Sequence, residues 1–273
     1  MPQRVRRLSP VALAALVVVA LMPAPAAATD DLSAPQAEQR VLALINEQRA
    51  AVGRVALRHD PRLTVIARAR SNDMAAKDYF AHQQPDGRWA WDLITAAGIT
   101  WYGAGENLAF NYWGTLAESA AGAARQWHDS PSHYGLLTSA DFNYVGIGLA
   151  VDGDGRKIWT AVFLKGPDRT RPLARMRSAS RGSTYLVNGT RYRRVTVRWW
   201  GADVRLSVLT AGLRSFQVQK RRPGGTWRTV IASTVRGYST FSLRAGRTFE
   251  FRVRSRDRAG NWGAWTAPQR LRS

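Results

Sequence analysis

The sequence predicts an α+β fold in two parts, a mixed N-terminal domain followed by an all-β, immunoglobulin-like sandwich. Three observations lead to this prediction. The hydrophobic period is helical in the first part of the chain and changes to two near Val145. Beyond residue 183, short β-rich runs are separated by turn residues at intervals of about 8–12 residues. The length of 273 residues is enough for about two domains.

Composition and charge exclude several classes of protein. The absence of cysteine excludes a disulfide scaffold, a cysteine nucleophile and a lipoprotein anchor. The apolar content of 45% is that of a globular chain rather than a disordered one. The net charge of +21 is unevenly distributed, because residues 29–170 hold 14 bases and 16 acids whereas residues 171–273 hold 23 bases and 3 acids. Such different electrostatics suggest two separate roles.

Residues 1–28 have the pattern of an export signal. Three arginines within residues 4–7 precede an eleven-residue apolar run, Val11–Leu21, and Ala26–Ala28 offers a small-residue cleavage site before Thr29. The apolar run is shorter than the roughly 20 residues that a membrane-spanning helix needs. We therefore expect a secreted, extracellular chain that is associated with the cell wall, has no transmembrane anchor once cleaved and has no nucleic-acid partner.

The N-terminal domain begins with helical patterns. Apolar residues recur with helical spacing from Ala37 to about Thr64, and Asp60-Pro61 has the form of an N-cap followed by a first-turn proline. Thr115 and Glu118 form a capping-box pair for a later helix. These signals predict amphipathic helices that each bury one face.

Strand patterns follow. Alternation over Val145–Val151 and a second run over Ile158–Leu164 predict an antiparallel hairpin. Residues 167–182 contain prolines, a glycine and many arginines, which predicts a basic linker. Residues 183–273 predict a β-sandwich of six or seven strands. The β-rich runs are 194–200, 204–209, 215–221, 227–231, 239–243 and 248–255.

Two histidines and one glutamate are the candidate site residues of the N-terminal domain. His82, Glu106 and His133 offer two imidazoles and a carboxylate, which can ligate zinc or another divalent metal and leave one position open for water. The same residues could form an acid–base cluster or a hydrogen-bonded structural cluster. Spacing alone does not decide between these three alternatives.

Several separated motifs follow one another along the N-terminal part. They are Tyr79-Phe80-Ala81-His82, Gly105-Glu106-Asn107-Leu108-Ala109, Ser130-Pro131-Ser132-His133, Val145-Gly146-Ile147-Gly148 and Trp159-Thr160-Ala161-Val162-Phe163. In this order, the motifs resemble the bacterial branch of the CAP superfamily, the cysteine-rich secretory, antigen-five and pathogenesis-related proteins, over about residues 37–166. The resemblance implies an α–β–α sandwich with a central antiparallel sheet and an open cleft.

The resemblance also implies roles for individual residues. His82, Glu106 and His133 match the cleft residues of the family, in which some members bind zinc through the histidines, and Glu106 is the candidate catalytic carboxylate. The second glutamate that many members carry shortly after the first histidine is missing, since Asp86 is the only acid there. Aromatic rings near Glu106 can stack a sugar or hold an apolar ligand. The predicted ligand-cleft residues are Trp101, Asn107, Tyr112 and Trp113.

The C-terminal part contains the segments Thr248-Phe249-Glu250-Phe251-Arg252-Val253-Arg254 and Asp257-Arg258-Ala259-Gly260-Asn261-Trp262. Together with Trp199 and Gly225-Thr226-Trp227, they resemble a bacterial fibronectin type III-like domain over residues 183–273. In the run 248–255, Phe249 and its alternate neighbours point inwards, while Arg252 and Arg254 point outwards. The strong positive field of this part predicts binding to anionic polymers or lipid headgroups of the cell envelope, with Arg252 and Arg254 as contact residues.

Two functions follow from these features. The first is a secreted bacterial CAP-domain protein that binds a small or lipidic ligand in its His/Glu cleft and is tethered to the envelope by its basic domain. The alternative is a metal-assisted hydrolase acting on the cell wall or on secreted proteins, with Glu106 as metal ligand or general base.

Overall fold

The computed structural model describes residues 31–273, so the predicted export signal at 1–28 lies outside the described residues. Residues 32–273 form one compact unit. No helix within 31–273 is both long enough and apolar enough to cross a membrane.

Five helices form within the described residues, and their starts follow the predicted capping signals. The Asp60 carboxylate accepts a hydrogen bond from the Arg62 amide at 3.1 Å, and Thr115 pairs with Glu118 in a capping box. The predicted helical pattern from Ala37 to Thr64 is wrong between residues 52 and 60, because the first helix ends before Gly53, which has a φ of +70°. The helices are α1 (Ala34–Ala51), α2 (Pro61–Ala76), α3 (Ala90–Ala96), α4 (Leu116–Asp129) and α5 (Pro131–Leu137).

A four-stranded sheet forms the centre of the N-terminal part. Its strands are ordered β1-β3-β4-β2, with β3 and β2 each antiparallel to β4 and the short β1 parallel to β3. β2 is therefore an edge strand of this sheet. The strands are β1 (Arg58–His59), β2 (Gly103–Asn111), β3 (Tyr144–Val151) and β4 (Lys157–Lys165).

Helices cover both faces of this sheet. On one face, α2 lies so close to β3 that a Cβ added at Gly146 or Gly148 would come within 2.2 Å of the α2 backbone. On the other face, Ile147 of β3 and Trp159 of β4 share an apolar core with Trp127 of α4. This arrangement confirms the predicted mixed α+β fold and explains why glycine alternates with large apolar residues along β3.

Seven further strands form two antiparallel sheets in the C-terminal part. The sheet orders are β5-β6-β9 and β11-β10-β7-β8. The two sheets contribute to one apolar core that includes Trp199, Phe216 and Phe251. The strands are β5 (Leu173–Val187), β6 (Thr190–Ala202), β7 (Leu213–Arg221), β8 (Arg228–Thr234), β9 (Tyr238–Arg244), β10 (Thr248–Asp257) and β11 (Gln269–Arg272).

Two segment predictions are wrong. Most of the predicted linker is strand, because residues 173–182 lie in β5 and pair with β6 across two register shifts that obscure the period of two. The predicted strand 204–209 is a loop, and its Leu206 is 2% exposed in a core cluster with Ile94 of α3 and Tyr144 of β3. The division into domains at 37–166 and 183–273 stays a prediction.

Candidate functional site

The candidate residues meet at the free edge of β2. Because side chains alternate along a strand, Glu106 points towards α2 and Asn107 points towards α5. His82 follows the C-terminal end of α2, and His133 lies in α5. We call these four residues the β2 edge site.

A buried arginine organises the first half of this site. Arg70 of α2 is fully buried, and its Nε donates to Glu106 Oε1 at 3.0 Å. The second carboxylate oxygen, Oε2, lies 2.8 Å from His82 Nδ1. Arg70 also donates to the backbone oxygens of Ala81 at 2.7 Å and His82 at 2.8 Å. One guanidinium therefore holds both the carboxylate and the backbone that carries His82.

Arg70 has no counterpart among the predicted site residues. Its position is nevertheless visible in the sequence, since it lies in the apolar stripe of α2 between Ala67 and Met74, both of which are fully buried. A charged residue within an apolar helical stripe must find a partner when it is buried. Glu106, with a side chain that is 3% exposed, is that partner.

The second half of the site is held by α5. Burial lowers the pKa of the half-buried His133, and the nearby His82 lowers it further. The Asn107 amide nitrogen donates to the His133 backbone oxygen at 3.0 Å. The amide oxygen of Asn107 is buried and has no hydrogen-bond partner within residues 31–273. The edge site therefore holds one buried acceptor that lacks a donor.

The three predicted metal ligands do not form a three-ligand centre. In the neutral tautomer that donates Nδ1–H to Glu106, His82 keeps Nε2 as a free lone pair. Glu106 is engaged by Arg70 and His82, so it has the position of a carboxylate that orients a histidine rather than of a ligand. Two imidazoles remain, and zinc binding by His82 and His133 stays a prediction. Within residues 31–273, one ligating atom from each of three residues falls within 4.8 Å only at Asp168, Asp203 and Asp257.

The predicted aromatic wall does not form as one surface. Trp101 precedes β2 whereas Tyr112 and Trp113 follow it, and the nine residues of this strand separate them by about 27 Å. Trp101 donates through Nε1 to Thr95 Oγ1 at 3.1 Å, beside α3. Trp113 packs over Gly122 of α4, where an added Cβ would lie 2.5 Å from the indole nitrogen. The three rings therefore cannot line one small cleft.

A different aromatic group lies near the edge site. The ring centroids of Phe80 and Phe110 lie 4.9 Å apart in an edge-to-face contact, and those of Phe110 and Tyr112 lie 6.3 Å apart. Phe80 and Phe110 are 39% and 38% exposed. Phe80 is two residues from His82, and Phe110 shares the Glu106 side of β2. These two phenylalanines are the aromatic residues that the sequence reasoning missed.

The predicted envelope-binding arginines are held in a stacked array on β10. The Arg252 guanidinium lies between Trp227 and Trp265, at 4.3 and 4.6 Å from the ring centroids, and also donates to the Gln219 side chain. Arg254 lies between Trp265 and Trp262, at 4.6 and 4.2 Å. These arginines are part of the packing of this sheet face, because rings and guanidinium groups alternate along it.

Comparisons with known proteins concern the N-terminal part of the chain. Residues 42–163 match the model of the cysteine-rich secretory protein family, CAP. The uncharacterized protein YkwD of Bacillus subtilis (strain 168) is 32% identical over 127 residues, which cover 46% of each chain. The uncharacterized membrane protein YlbC of the same organism is 28% identical over 128 residues, covering 47% of this chain and 34% of YlbC. The matched region thus spans less than half the length of these relatives.

The chain is also similar to a solved structure. An extracellular protein containing a SCP domain from Bacillus anthracis shares 24% identity over 48% of this chain and 42% of its own, with a TM-score of 0.42. Both histidines, Glu106 and Asn107 fall within the residues that match the family model. Residues 42–163 of this chain are therefore similar in sequence to the CAP family.

Proposed function

We propose that this chain is a secreted binding protein of the bacterial cell envelope. Its β2 edge site binds a small or lipidic ligand, and its basic C-terminal part tethers it to anionic envelope polymers or lipid headgroups. The export pattern at residues 1–28 and the similarity of residues 42–163 to the CAP family support the extracellular assignment.

The engagement of Glu106 is the observation that carries this proposal. A general base needs an oxygen within hydrogen-bond reach of the proton that it removes. Glu106 Oε1 accepts from Arg70 at 3.0 Å and Oε2 lies 2.8 Å from His82 Nδ1, and the side chain is 3% exposed. Each oxygen keeps a further lone pair, but a side chain that is only 3% exposed leaves little of it open to a water from solution. Glu106 is therefore better suited to positioning His82 than to activating water.

The groups around the edge site indicate what the ligand offers. Asn107 presents a buried oxygen without a donor, so a ligand hydroxyl or amide would complete it. Phe80 and Phe110 expose ring surface nearby, which suits an apolar chain or the face of a sugar ring. A ligand with an apolar body and a polar head matches both features.

The tether rests on charge and architecture. Residues 171–273 carry 23 bases against 3 acids, and a field of this strength attracts polyanions. The two antiparallel sheets over one core support the fibronectin type III-like assignment of this part. We propose that Arg252 and Arg254 contribute to the field from their stacked positions.

The test compares the molecules that copurify with the secreted protein. Wild type, the double variant His82→Ala/His133→Ala and the control His128→Ala are recovered from the growth medium, and organic extracts are analysed by mass spectrometry. His128 is an exposed histidine of α4 that pairs with its neighbour Asp129, so it matches the substitution without touching the site. We expect a bound compound in wild type and in the control that is lost from the double variant.

Zinc titration calorimetry on the same three proteins tests the metal prediction. A stoichiometric site that only the double variant loses would support metal binding by the two imidazoles. Turnover of peptidoglycan or casein with added zinc, abolished by Glu106→Gln, would overturn the binding proposal in favour of the hydrolase. Copurification that is the same in all three proteins would remove the edge site as the ligand site.

A further inference from the structure

A cationic groove lies at the end of the β7–β8 hairpin. Its volume is about 470 Å³, and we call it the hairpin groove. One of its lining residues, Arg221, also stacks on Trp227, the ring that contacts Arg252. Val230 and Phe249 supply apolar surface, and Thr226 and Thr229 supply hydroxyl groups. Its cationic lining residues are Lys220, Arg221, Arg222 and Arg228.

Most of the charge in this groove is uncompensated. Arg221 is paired, since its Nε donates to Glu250 Oε2 at 2.7 Å. Arg222 and Arg228 are exposed at the two ends of the turn, and no carboxylate within residues 31–273 forms an ion pair with either. Both guanidinium groups are therefore available to an anion from solution.

Lys220 is the least expected of these cations. It is the only lysine among the 23 bases of residues 171–273. Its ammonium lies 5.5 Å from the Phe249 ring centroid and has neither an ion pair nor a hydrogen bond within the described residues. Burial lowers the pKa of Lys220, because no carboxylate replaces the water that it has lost. A bound anion would supply the missing partner.

We infer that the hairpin groove binds the phosphate group of an anionic envelope molecule. Three unpaired cations around one groove suit a group with several acceptor oxygens, and guanidinium forks match phosphate in particular. The threonine hydroxyls can donate to further oxygens. Val230 and Phe249 can contact the carbon atoms next to the phosphate, as in a glycerol or other polyol unit. This inference deepens the proposed tether and rests on it for the source of the phosphate.

The experiment uses the chain without its predicted export signal, residues 29–273, and three probes. Poly(glycerol phosphate) is titrated by calorimetry, phosphatidylglycerol vesicles in phosphatidylcholine are tested by co-sedimentation, and poly-glutamate of similar length is the carboxylate control. The first two probes distinguish a polymer from a lipid headgroup as the source of the same phosphate chemistry. Binding to isolated cell walls is measured in parallel.

Two groove variants and one matched control are compared with wild type. Arg222→Gln/Arg228→Gln and Lys220→Met remove charge from the groove. Arg191→Gln/Arg244→Gln removes the same two charges from exposed positions on the other sheet, where neither arginine has an ion-pair partner within residues 31–273. Lys220→Met should fold at least as stably as wild type, because it removes a half-buried cation that has no partner.

We expect each groove variant to bind at least one phosphate probe about tenfold more weakly, with at most a two- to threefold loss in the control. In a plot of log Kd against the logarithm of the salt concentration, the slope should also be smaller by about 1.5–2 for the double groove variant. Equal losses in groove and control variants would overturn the inference, because the attraction would then be spread over the whole part. Equal binding of poly-glutamate would overturn the phosphate chemistry.

The two proposals fail separately. If wild type binds cell walls and the groove variants bind them equally well, the proposed tether is supported and the hairpin groove is rejected as the phosphate site. If wild type binds the phosphate probes through the groove but does not bind cell walls, the hairpin groove is supported as a phosphate site and the proposed tether is rejected.

Discussion

Replacing Arg70 by methionine tests the organisation of the β2 edge site. The substitution keeps most of the hydrocarbon volume in α2 and removes the guanidinium. It deletes the hydrogen bonds to Glu106, to the Tyr79 hydroxyl and to the backbone oxygens of Ala81 and His82. Glu106 then stays buried with His82 as its remaining hydrogen-bond partner.

The expected cost follows from burial. Arg70 is 0% exposed and the Glu106 side chain is 3% exposed, so neither charge can turn to water when its partner is lost. Removing one member of a buried ion pair costs about 3–5 kcal/mol, because it leaves an uncompensated charge. With an m-value of about 2 kcal/mol/M, the urea midpoint should fall by about 1.5–2.5 M.

Urea unfolding followed by circular dichroism measures this change, with Lys77→Met as the control. Lys77 pairs with Asp73 near the same end of α2, but its side chain is 50% exposed, so its loss should cost about 0.5 kcal/mol or less. Arg70→Met/Glu106→Gln should lose less than the sum of its single variants, with a coupling of about 1–3 kcal/mol. If Arg70→Met is no less stable than Lys77→Met, the reasoning on the edge site is refuted.

Three further predictions concern packing, pH and the stacked arginines. Gly148→Ala should lower stability by about 3 kcal/mol in thermal unfolding, because its Cβ would lie 2.2 Å from the α2 backbone; a loss below 1 kcal/mol would contradict this contact. Burial lowers the pKa of His133, so the folded protein binds fewer protons there than the unfolded chain below pH ~6.5. Stability should therefore fall as the pH drops from about 7 to 5, and the fall should be smaller in His133→Gln than in His128→Gln; equal profiles would exclude this contribution. Arg252→Leu should cost about 2 kcal/mol through lost ring and hydrogen-bond contacts, and an unchanged unfolding midpoint would contradict a packing role.

Local signals predicted α2, α4 and the β3–β4 hairpin because these elements have local causes, whereas α3 and β2 were not predicted. The Asp60 and Thr115 caps, and the turn between Val151 and Lys157, arise from hydrogen bonds that close over a few residues. Strand β5 was missed although it forms a hairpin with β6 across the Asn188-Gly189 turn, where Val187 pairs with Thr190. Its residues are mostly exposed, so no alternation of apolar and polar residues marked residues 173–182 as strand.

In the candidate site, too, local motifs were predictable from the sequence and contacts between distant segments were not. His82, Glu106 and His133 were identifiable from motifs, and the structure places His82 against Glu106 at 2.8 Å. The role of Arg70 depends on the packing of α2 against the edge strand β2. The spacing of residues in the sequence does not predict this contact. Trp101 was assigned to the site by closeness in sequence, and the extended strand β2 separates it from Tyr112 instead.

One measurement tests the proposed function most directly. The chain of residues 29–273 is incubated with purified cell walls, with and without zinc, and both the sedimented protein and the soluble wall fragments are quantified. The proposal predicts that the protein sediments with the walls at low salt, is released at high salt and liberates no fragments. Protein that remains in solution at low salt, or wall fragments released by wild type but not by Glu106→Gln, would contradict it.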